Sequence, residues 1–431
     1  MSTLAASDSN EPPQENFHVA SSLLSLVKKL LGLLSFSLLQ CKLMRRAVNF
    51  INRNETVTST TVLTTDQSSL LLFSSLPEDV ILNCLARVPR RYYPIVSCVS
   101  KSFRFLVLSP DLAHIRSLMG KDYPLIYVCF TEKETTSLGM IFHWFTFNPK
   151  EKQTSGQNNS IQVLSQHKLY CSTVSIGSKI YFVGGSMNKM SSSLWIFDSW
   201  SGELREGPSM KVARMLPGVA VVDEKLYVMG GCSEALIQVE VFDLENQTWK
   251  VGPMSPHGEI RYGQGLRGYG VIVTEAVASE GKVYGMSYRE GSHRIYDTKD
   301  GRCETLKMAN EDTWRRGGVC VINNVMYVNY SDVGVMWYDS EDKVWKVVKG
   351  LKKLVKPIDI SVGMLDCNGK LAFLWEDERD VEGKKSEKRI WCAMILLDRS
   401  GVEIYGKVEW SDLVGSVPWY YEIWRCLGVS N

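Results

Sequence analysis

Residues that could do chemistry are scattered along this chain instead of being gathered into a motif. The six histidines lie far apart, and none stands at metal-ligand spacing from a cysteine or another histidine. The sequence also lacks a nucleophile elbow (Gly-x-Ser-x-Gly), a phosphate-binding loop and the His-Glu-x-x-His zinc pattern. We therefore expect a protein without catalytic residues, bound metal or cofactor, which acts by binding.

Composition limits what the chain binds and where it works. A net charge of +2 over 431 residues gives no electrostatic reason to expect nucleic acid as a partner. The 11 cysteines form an odd number and include no Cys-x-x-Cys pair, a pattern typical of reduced thiols. We expect the cytoplasm, the nucleus or both as the location. No apolar stretch is long and uninterrupted enough to predict a transmembrane helix.

The elements that must position any binding residue repeat along the chain. One copy reads KIYFVGG over 179–185 and LWIFD over 194–198, and the next reads KLYVMGG over 225–231 and VEVFD over 239–243. The fixed spacing of the two copies, from residue 179 to residue 225, is typical of stacked or radially arranged units. The glycine pairs allow tight corners, and each strand-ending aspartate can cap its own turn. We therefore interpret the glycines and aspartates, together with the tryptophan of the strand that follows the second copy, as structural: Gly184, Gly185, Asp198, Gly230, Gly231, Asp243 and Trp249.

The same frame continues in weaker form on both sides of the two clear copies. Three later units end their third strands at Asp297, Asp339 and Asp398, and a partial unit begins near residue 125. Six units of four strands, none able to bury both faces alone, predict a β-propeller over 124–431. The segment 420–427 is a strand without a unit, and we predict that it completes the partial unit and closes the ring.

Loops between the blades of a propeller meet at one rim and form a binding surface. Arginine, tyrosine and tryptophan are the side chains most often found as interface anchors. The connections between units contain such residues, and we expect substrate contacts among them: Arg214, Arg261, Tyr262, Trp314 and Arg315. By contrast, the charged run 376–389 predicts a solvated hairpin loop.

A helical pattern over 73–120 precedes the strands. Three short apolar segments there predict three short helices, the last of which ends at Ser109-Pro110. Such a unit is too small to form a good core without a partner. The region before it, 1–72, reads as a disordered or loosely structured extension with an amphipathic stretch at 22–40. That stretch predicts either a helix that docks on a membrane surface or on a partner or, more simply, an extension that packs locally or stays loose.

The sequence LPEDVILNCLARVP, followed by VSCVSKSFRFLVLSP, resembles an F-box, although Phe103 stands where that family more often has tryptophan. The later repeats resemble kelch motifs through their glycine pairs and spaced aromatic residues. The resemblance implies an F-box of three short helices followed by an all-β kelch propeller of about six four-stranded blades. It also implies that a Skp-type adaptor binds the F-box residues, namely Leu76, Pro77, Val80, Ile81, Leu85, Pro89, Val99 and Lys101.

Together the two regions resemble the plant F-box/kelch-repeat family. The resemblance implies the substrate-recognition subunit of an SCF-type E3 ubiquitin ligase, in which the adaptor links the chain to a cullin and the propeller holds a target protein for ubiquitination. Such a subunit supplies proximity and orientation rather than catalysis. Two alternatives stay open: an F-box/kelch adaptor or scaffold without a degradative role, and a propeller enzyme with an N-terminal cap.

Overall fold

The computed structural model describes most of the chain after residue 75 as two compact units. One unit is Met1–Lys121 with Trp200–Gly202, and the other is Asp122–Ser199 with Glu203–Asn431. The described residues are 76–121, 123–132, 142–147, 161–166, 172–185, 189–232, 239–253, 275–287, 293–309, 314–331, 333–356, 360–377 and 387–430. The extension 1–72, with its amphipathic stretch at 22–40, lies outside them.

Over the described residues 76–121, the helical unit contains four α-helices, whereas the sequence predicted three. They are α1 Glu78–Arg87, α2 Tyr93–Val99, α3 Lys101–Val107 and α4 Pro110–Leu118, with a 3-10 turn over Arg90–Tyr92. The prediction treated Ser109 and Pro110 as the end of the last helix. Instead they begin α4, because Pro110 occupies its first turn and the Ser109 side chain accepts a hydrogen bond from the Asp111 N–H.

A buried arginine crosslinks the core of this unit. Leu85, Tyr93, Val107 and Leu112 have no exposed surface. Arg116 donates to the carbonyl oxygens of Ala86, Val88 and Lys121 and to the Tyr93 hydroxyl, at 3.0–3.2 Å. Burial raises the pKa of Tyr93, whose hydroxyl donates to the Leu85 carbonyl. The helices are thus held by a filled apolar core and by polar bonds inside it.

The second unit consists of six antiparallel sheets of four strands, which confirms the predicted six-bladed propeller. Each sheet is one blade, and the innermost strands of neighbouring blades contact one another in a ring. In chain order the strands are β1 Leu125–Glu132, β2 Phe142–Phe147, β3 Ile161–Gln166, β4 Ser172–Ile176, β5 Lys179–Val183, β6 Leu194–Asp198, β7 Leu204–Glu206, β8 Gly218–Val222, β9 Lys225–Met229, β10 Val239–Asp243, β11 Thr248–Val251, β12 Glu275–Ser279, β13 Lys282–Met286, β14 Arg294–Asp297, β15 Cys303–Thr305, β16 Trp314–Ile322, β17 Val325–Tyr330, β18 Gly334–Asp339, β19 Val344–Val347, β20 Val362–Cys367, β21 Lys370–Asp377, β22 Glu387–Ser400, β23 Glu403–Pro418 and β24 Tyr421–Val429.

The last strand closes the ring, as the sequence predicted. Five blades are formed by consecutive strands, but the remaining blade has the order β24-β1-β2-β3. Strand β24 pairs with β1 from Leu125 opposite Val429 to Glu132 opposite Tyr421. The first and last strands of the propeller therefore share one sheet, which leaves neither as a free edge.

Two different ends of the blades follow from this topology. In the five blades with consecutive strands, two residues join the first strand to the second, as at 177–178 and 223–224. Because strands alternate in direction, the connections from second to third strand and from blade to blade emerge at the opposite end. We call that end the loop face. It carries the glycine pairs and the connections between blades that the sequence predicted as a binding surface.

The charged run 376–389 differs from its prediction at both ends. The Glu376 and Lys388 side chains are almost fully buried, and they form an ion pair with 2.7 Å between Oε2 and Nζ. Lys388 also donates to the Tyr421 carbonyl at 2.9 Å, while the Ile423 N–H donates to Glu376. The prediction of a solvated loop is therefore wrong for these two residues, because they bind the closing strand β24.

Candidate interaction surfaces

The residues predicted to bind an adaptor are divided between the interior and the surface of the helical unit. Leu85 is fully buried and Ile81 is 8% exposed, so both pack into the core. Pro77 and Lys101 are exposed, and Val99 is 36% exposed. The remaining three, Leu76, Val80 and Pro89, are half-buried. The buried pair shapes the unit, while the others are accessible to a partner.

The structure adds exposed apolar residues that the sequence interpretation did not select. Phe105 is 71% exposed and Leu108 is 45% exposed, three positions apart at the end of α3. Leu106 and Val107 between them are buried. Side chains three apart on a helix lie on one face, so Phe105 and Leu108 form a joint apolar surface. We call Phe105 and Leu108 the apolar helix surface.

The glycine pairs of the repeats are structural, and close backbone contacts explain them. Gly184 and Gly231 have positive φ, +83° and +72°. A Cβ on Gly185 would lie 2.0 Å from the Lys189 carbonyl oxygen, and one on Gly231 would lie 2.4 Å from the Met215 oxygen. Only glycine fits corners this tight.

Arg214, predicted as a substrate contact, lies in the protein interior. Its side chain has no exposed surface and pairs with the equally buried Glu240, 3.0 Å from Nη2 to Oε2. Arg214 also donates to the Gly230 carbonyl at 2.7 Å, and Glu240 accepts from the Lys211 N–H at 2.6 Å. The structure therefore gives Arg214 a structural position between blades, which corrects its assignment to the binding surface.

Aspartate and aromatic residues secure the turns and the joints between blades. Asp243 Oδ1 accepts from the N–H groups of Glu245 and Asn246, and the hydrogen bonds from Asn246 lower its pKa. Trp249 donates from Nε1 to the Pro208 carbonyl of the preceding connection at 2.7 Å. Trp345 makes the corresponding bond to Lys307 at 2.8 Å. Asp198 ends β6, where its N–H donates to the Glu203 carbonyl across the turn.

Comparison with known proteins agrees with both units. A model described as "F-box domain" matches residues 73–114, and one described as "FKB95, Kelch-repeats domain" matches residues 144–415. F-box/kelch-repeat protein At2g22030 of Arabidopsis thaliana is 67% identical over 389 residues, which cover 90% of this chain and 100% of that protein. This chain belongs to the F-box/kelch-repeat family. Two further relatives from the same plant, putative F-box/kelch-repeat protein At4g02310 and F-box/kelch-repeat protein At2g44630, are each 41% identical, over 81% and 83% of this chain and 94% and 93% of their own lengths.

The two family models cover different parts of the helical unit and the propeller. The F-box match includes both residues of the apolar helix surface. The kelch match ends at residue 415 and begins at 144, so it omits the β24–β1 pair that closes the ring. The strands that close the ring therefore lie outside the residues that the kelch model matches.

The other predicted substrate contacts are only partly described. Arg261 and Tyr262 lie outside the described residues, and Trp314 and Arg315 begin β16, where only the backbone is described. The connection that contains Arg261 and Tyr262 leaves β11 at the loop face, and β16 starts at that same end. A substrate contact at these four residues stays a prediction.

The centre of the kelch ring contains a cavity of about 250 Å³ lined by the innermost strand of every blade. Glu275 and Arg425 come from opposite blades and approach to 4.0 Å across it. Burial raises the pKa of the Cys320 thiol well above its usual range and lowers the pKa of His293 to about 4, so the thiol and the imidazole are both uncharged at neutral pH. Within the described ranges, no cluster of three or more His, Cys, Asp or Glu residues could hold a metal ion. Over the same ranges, no helix is both long and apolar enough to cross a membrane.

Proposed function

We propose that this F-box/kelch protein is the substrate-recognition subunit of an SCF-type ubiquitin ligase. The F-box unit docks on a Skp-type adaptor that connects it to a cullin scaffold. The loop face of the propeller binds a target protein and presents it for ubiquitination. The chain supplies no catalytic group, because positioning the target near a recruited conjugating enzyme is sufficient for its part. The proposal places this assembly in the cytoplasm, the nucleus or both.

The observation that carries the proposal is the apolar helix surface, which stays exposed although the same helices bury other apolar residues in a core of their own. The Phe105 side chain is 71% exposed, and leaving this apolar surface in water is unfavourable. A partner that covers it would remove that cost. The residues behind it, Leu106 and Val107, are packed into the core. A rigid support of this kind favours a preformed docking surface, since little ordering is needed on binding.

Reconstitution with purified components tests the proposal. The full chain, a Skp-type adaptor and a cullin are mixed and separated by gel filtration, and we expect all three to co-elute. Replacing Leu76→Ala together with Pro77→Ala removes two accessible F-box residues just before α1, and we expect it to abolish capture of the adaptor. The proposal fails if wild-type chain captures no adaptor.

A second measurement separates a ligase receptor from a scaffold. Proximity labelling in plant cells, with and without proteasome inhibition, identifies neighbours that accumulate only when degradation is blocked. A ligase receptor predicts such neighbours, and their number should fall with the Leu76→Ala, Pro77→Ala chain. Neighbours that are equally abundant in both conditions would contradict the degradative role.

A further inference from the structure

The helical unit includes three residues from far along the chain, Trp200–Gly202, which lie in the turn between β6 and β7. Trp200 is 6% exposed and packs among the apolar residues of the helical core. The Trp200 and Tyr93 rings are 5.4 Å apart between centroids, and the Arg90 guanidinium lies 5.0 Å over the indole. Trp200 is therefore a core residue of the helical unit, although it lies far outside the F-box match at 73–114.

Main-chain contacts hold the same turn against α2. The Ser97 hydroxyl donates to the Trp200 carbonyl at 3.3 Å. Gly202 has a φ of +72°, and a Cβ there would lie 2.8 Å from the Pro94 Cβ. A larger residue would have to move the turn or α2. The turn thus contacts α2 through a buried ring, a hydrogen bond and a close approach of the main chain.

The position equivalent to Trp200 is polar in the later repeats. Trp200 lies two residues after Asp198, the aspartate that ends β6. In four later units the residue two positions after the strand-ending aspartate is polar and exposed, namely Glu245, Lys299, Glu341 and Ser400. A large apolar side chain in an exposed turn would be unfavourable. Burial in the helical unit explains the exception at Trp200.

Tyr93 connects Trp200 to the rest of the helical unit. The Tyr93 hydroxyl donates to the Leu85 carbonyl at 2.9 Å and accepts from Arg116 at 3.2 Å. Leu85 belongs to α1 and Arg116 belongs to α4. The ring that packs on Trp200 therefore carries the hydrogen bonds that fix α1 and α4 relative to α2.

We propose that Trp200 is a positioning residue for adaptor binding, because through Tyr93 it holds the helices whose exposed side chains form the docking surface. This inference rests on the proposed function, since it concerns the same adaptor. The accessible F-box residues come from several elements, for example Pro77 before α1, Val99 at the end of α2 and Phe105 in α3. A surface assembled from several helices binds tightly only when their spacing is fixed before binding. No role for Trp200 was predicted from the sequence, although it departs from a polar position in the repeat.

Calorimetric titration of the full chain with a Skp-type adaptor tests the inference, at a temperature where each variant is fully folded. Trp200→Ala should bind the adaptor at least about tenfold more weakly than wild type. Trp200→Phe, which keeps a ring against Tyr93, should restore most of that affinity. A merely structural role would lower the melting temperature of Trp200→Ala but leave the affinity of the folded protein unchanged. That result would overturn the inference.

A glycine substitution tests the same contact without removing the indole, in case Trp200→Ala does not fold. Gly202→Ala places its Cβ against Pro94 and should weaken adaptor binding about fivefold. Gly301→Ala is the matched control, because Gly301 occupies the equivalent turn position in a later unit and has the same φ of +72°. This control should bind like wild type, as should Glu245→Ala at the position equivalent to Trp200.

Two results with the glycine variants would also overturn the inference: equal affinity of Gly202→Ala and wild type, or equal weakening by Gly202→Ala and Gly301→Ala. A wild-type chain that captures no adaptor would instead count against the proposed function, so the two failures are distinguishable.

Discussion

Two buried ion pairs each bond backbone groups in the propeller, but only one of them lies where the sequence repeats are clear. Arg214–Glu240 lies among the clearest repeats, and Lys388–Glu376 lies at the closing seam. Each pair satisfies one backbone N–H and one carbonyl: Lys211 and Gly230 for the first, Ile423 and Tyr421 for the second. Buried backbone groups outside a ladder need such partners.

The difference between the pairs lies in what they join. Arg214–Glu240 links a connection to the blade that follows it, and the partners described for the pair lie between residues 211 and 240. Lys388–Glu376 instead links the β21–β22 blade to β24, the strand that completes the ring. We infer that the first pair stabilises a local joint, whereas the second holds closure of the whole propeller.

Removing the closing strand should have the largest effect. Deletion of 418–431 takes away buried side chains of β24, including Ile423, Cys426 and Val429, and leaves the Lys388–Glu376 pair without its backbone partners. Each lost side chain costs about 2–4 kcal/mol, so the sum approaches the whole stability of a domain. We expect the melting temperature to fall by roughly 10 °C or more, or cooperative melting to be lost.

Deletion of Ser430 and Asn431 alone is the matched control, because it leaves the whole of β24, Tyr421–Val429, in place. That chain should melt like wild type in calorimetry. An unchanged melting curve for the longer deletion would show that β24 does not close the ring.

Arg214→Met should have the next largest effect. It leaves the Glu240 carboxylate buried without its guanidinium, and the Gly230 carbonyl loses its hydrogen bond from Arg214. The expected loss in unfolding free energy is therefore about 3–5 kcal/mol. Urea titration measures it. Adding Glu240→Gln should recover part of the loss, since the uncompensated charge is then gone. A cost below about 1 kcal/mol for Arg214→Met would mean that the pair is dispensable.

Lys388→Met should cost somewhat less, about 3 kcal/mol, because an ammonium makes fewer fixed hydrogen bonds than a guanidinium. The more informative readout is where amide exchange accelerates. We expect faster exchange along Tyr421–Val429, whereas Arg214→Met should accelerate exchange around 211–232. The same exchange pattern for both variants would contradict the distinction between a local joint and a closing seam.

A hydrogen bond between blades that involves no charged group should contribute less to stability than either ion pair. Trp249→Phe keeps the ring on Phe242, 4.9 Å between centroids, but removes the hydrogen bond to the Pro208 carbonyl. The expected cost is about 1 kcal/mol in urea titration. Trp345→Phe, which loses the matching bond to Lys307, should cost about the same. Unequal costs would show that the joints are not equivalent around the ring.

The smallest prediction concerns pH. Burial raises the pKa of Glu376, although Lys388 acts in the opposite direction. A carboxyl with a raised folded-state pKa stabilises fully below its unfolded-state pKa, about 4.3, and loses that contribution as pH rises through the folded value. Relative to Glu376→Gln, wild type should therefore become less stable between about pH 4 and pH 7. Urea titrations at both pH values measure the change, and a constant difference would show that Lys388 fully compensates the burial.

Sequence pattern predicted the strands well, because each blade buries alternating side chains in a short frame. The runs at 179–183 and 225–229 coincide with β5 and β9, and the pairing of the last strand with the first followed from an incomplete unit. The helix count was less accurate. Ser109-Pro110 can either stop one helix or begin another, and only the hydrogen bond to the Asp111 N–H decides between them.

Surface and interior were harder to distinguish. Phe105 to Leu108 are four consecutive apolar residues, and packing against the other helices buries only the middle two. Glu376 and Lys388 belong to a charged run that predicts solvation, but β24 arrives from far along the chain to cover them. Arg214 is a third example, because the sequence predicted it at the binding surface and the structure buries it against Glu240. These positions depend on long-range contacts, which periodicity does not encode.

Direct titration of the full chain with a Skp-type adaptor tests the central claim, that the F-box unit docks through the apolar helix surface. We predict one-to-one binding in calorimetry for wild type and for the control Val402→Ser, which removes an apolar side chain that is 72% exposed on the propeller. The pair Phe105→Ser and Leu108→Ser should weaken binding at least tenfold with an unchanged melting temperature. Equal affinity of this pair and wild type would contradict the claim.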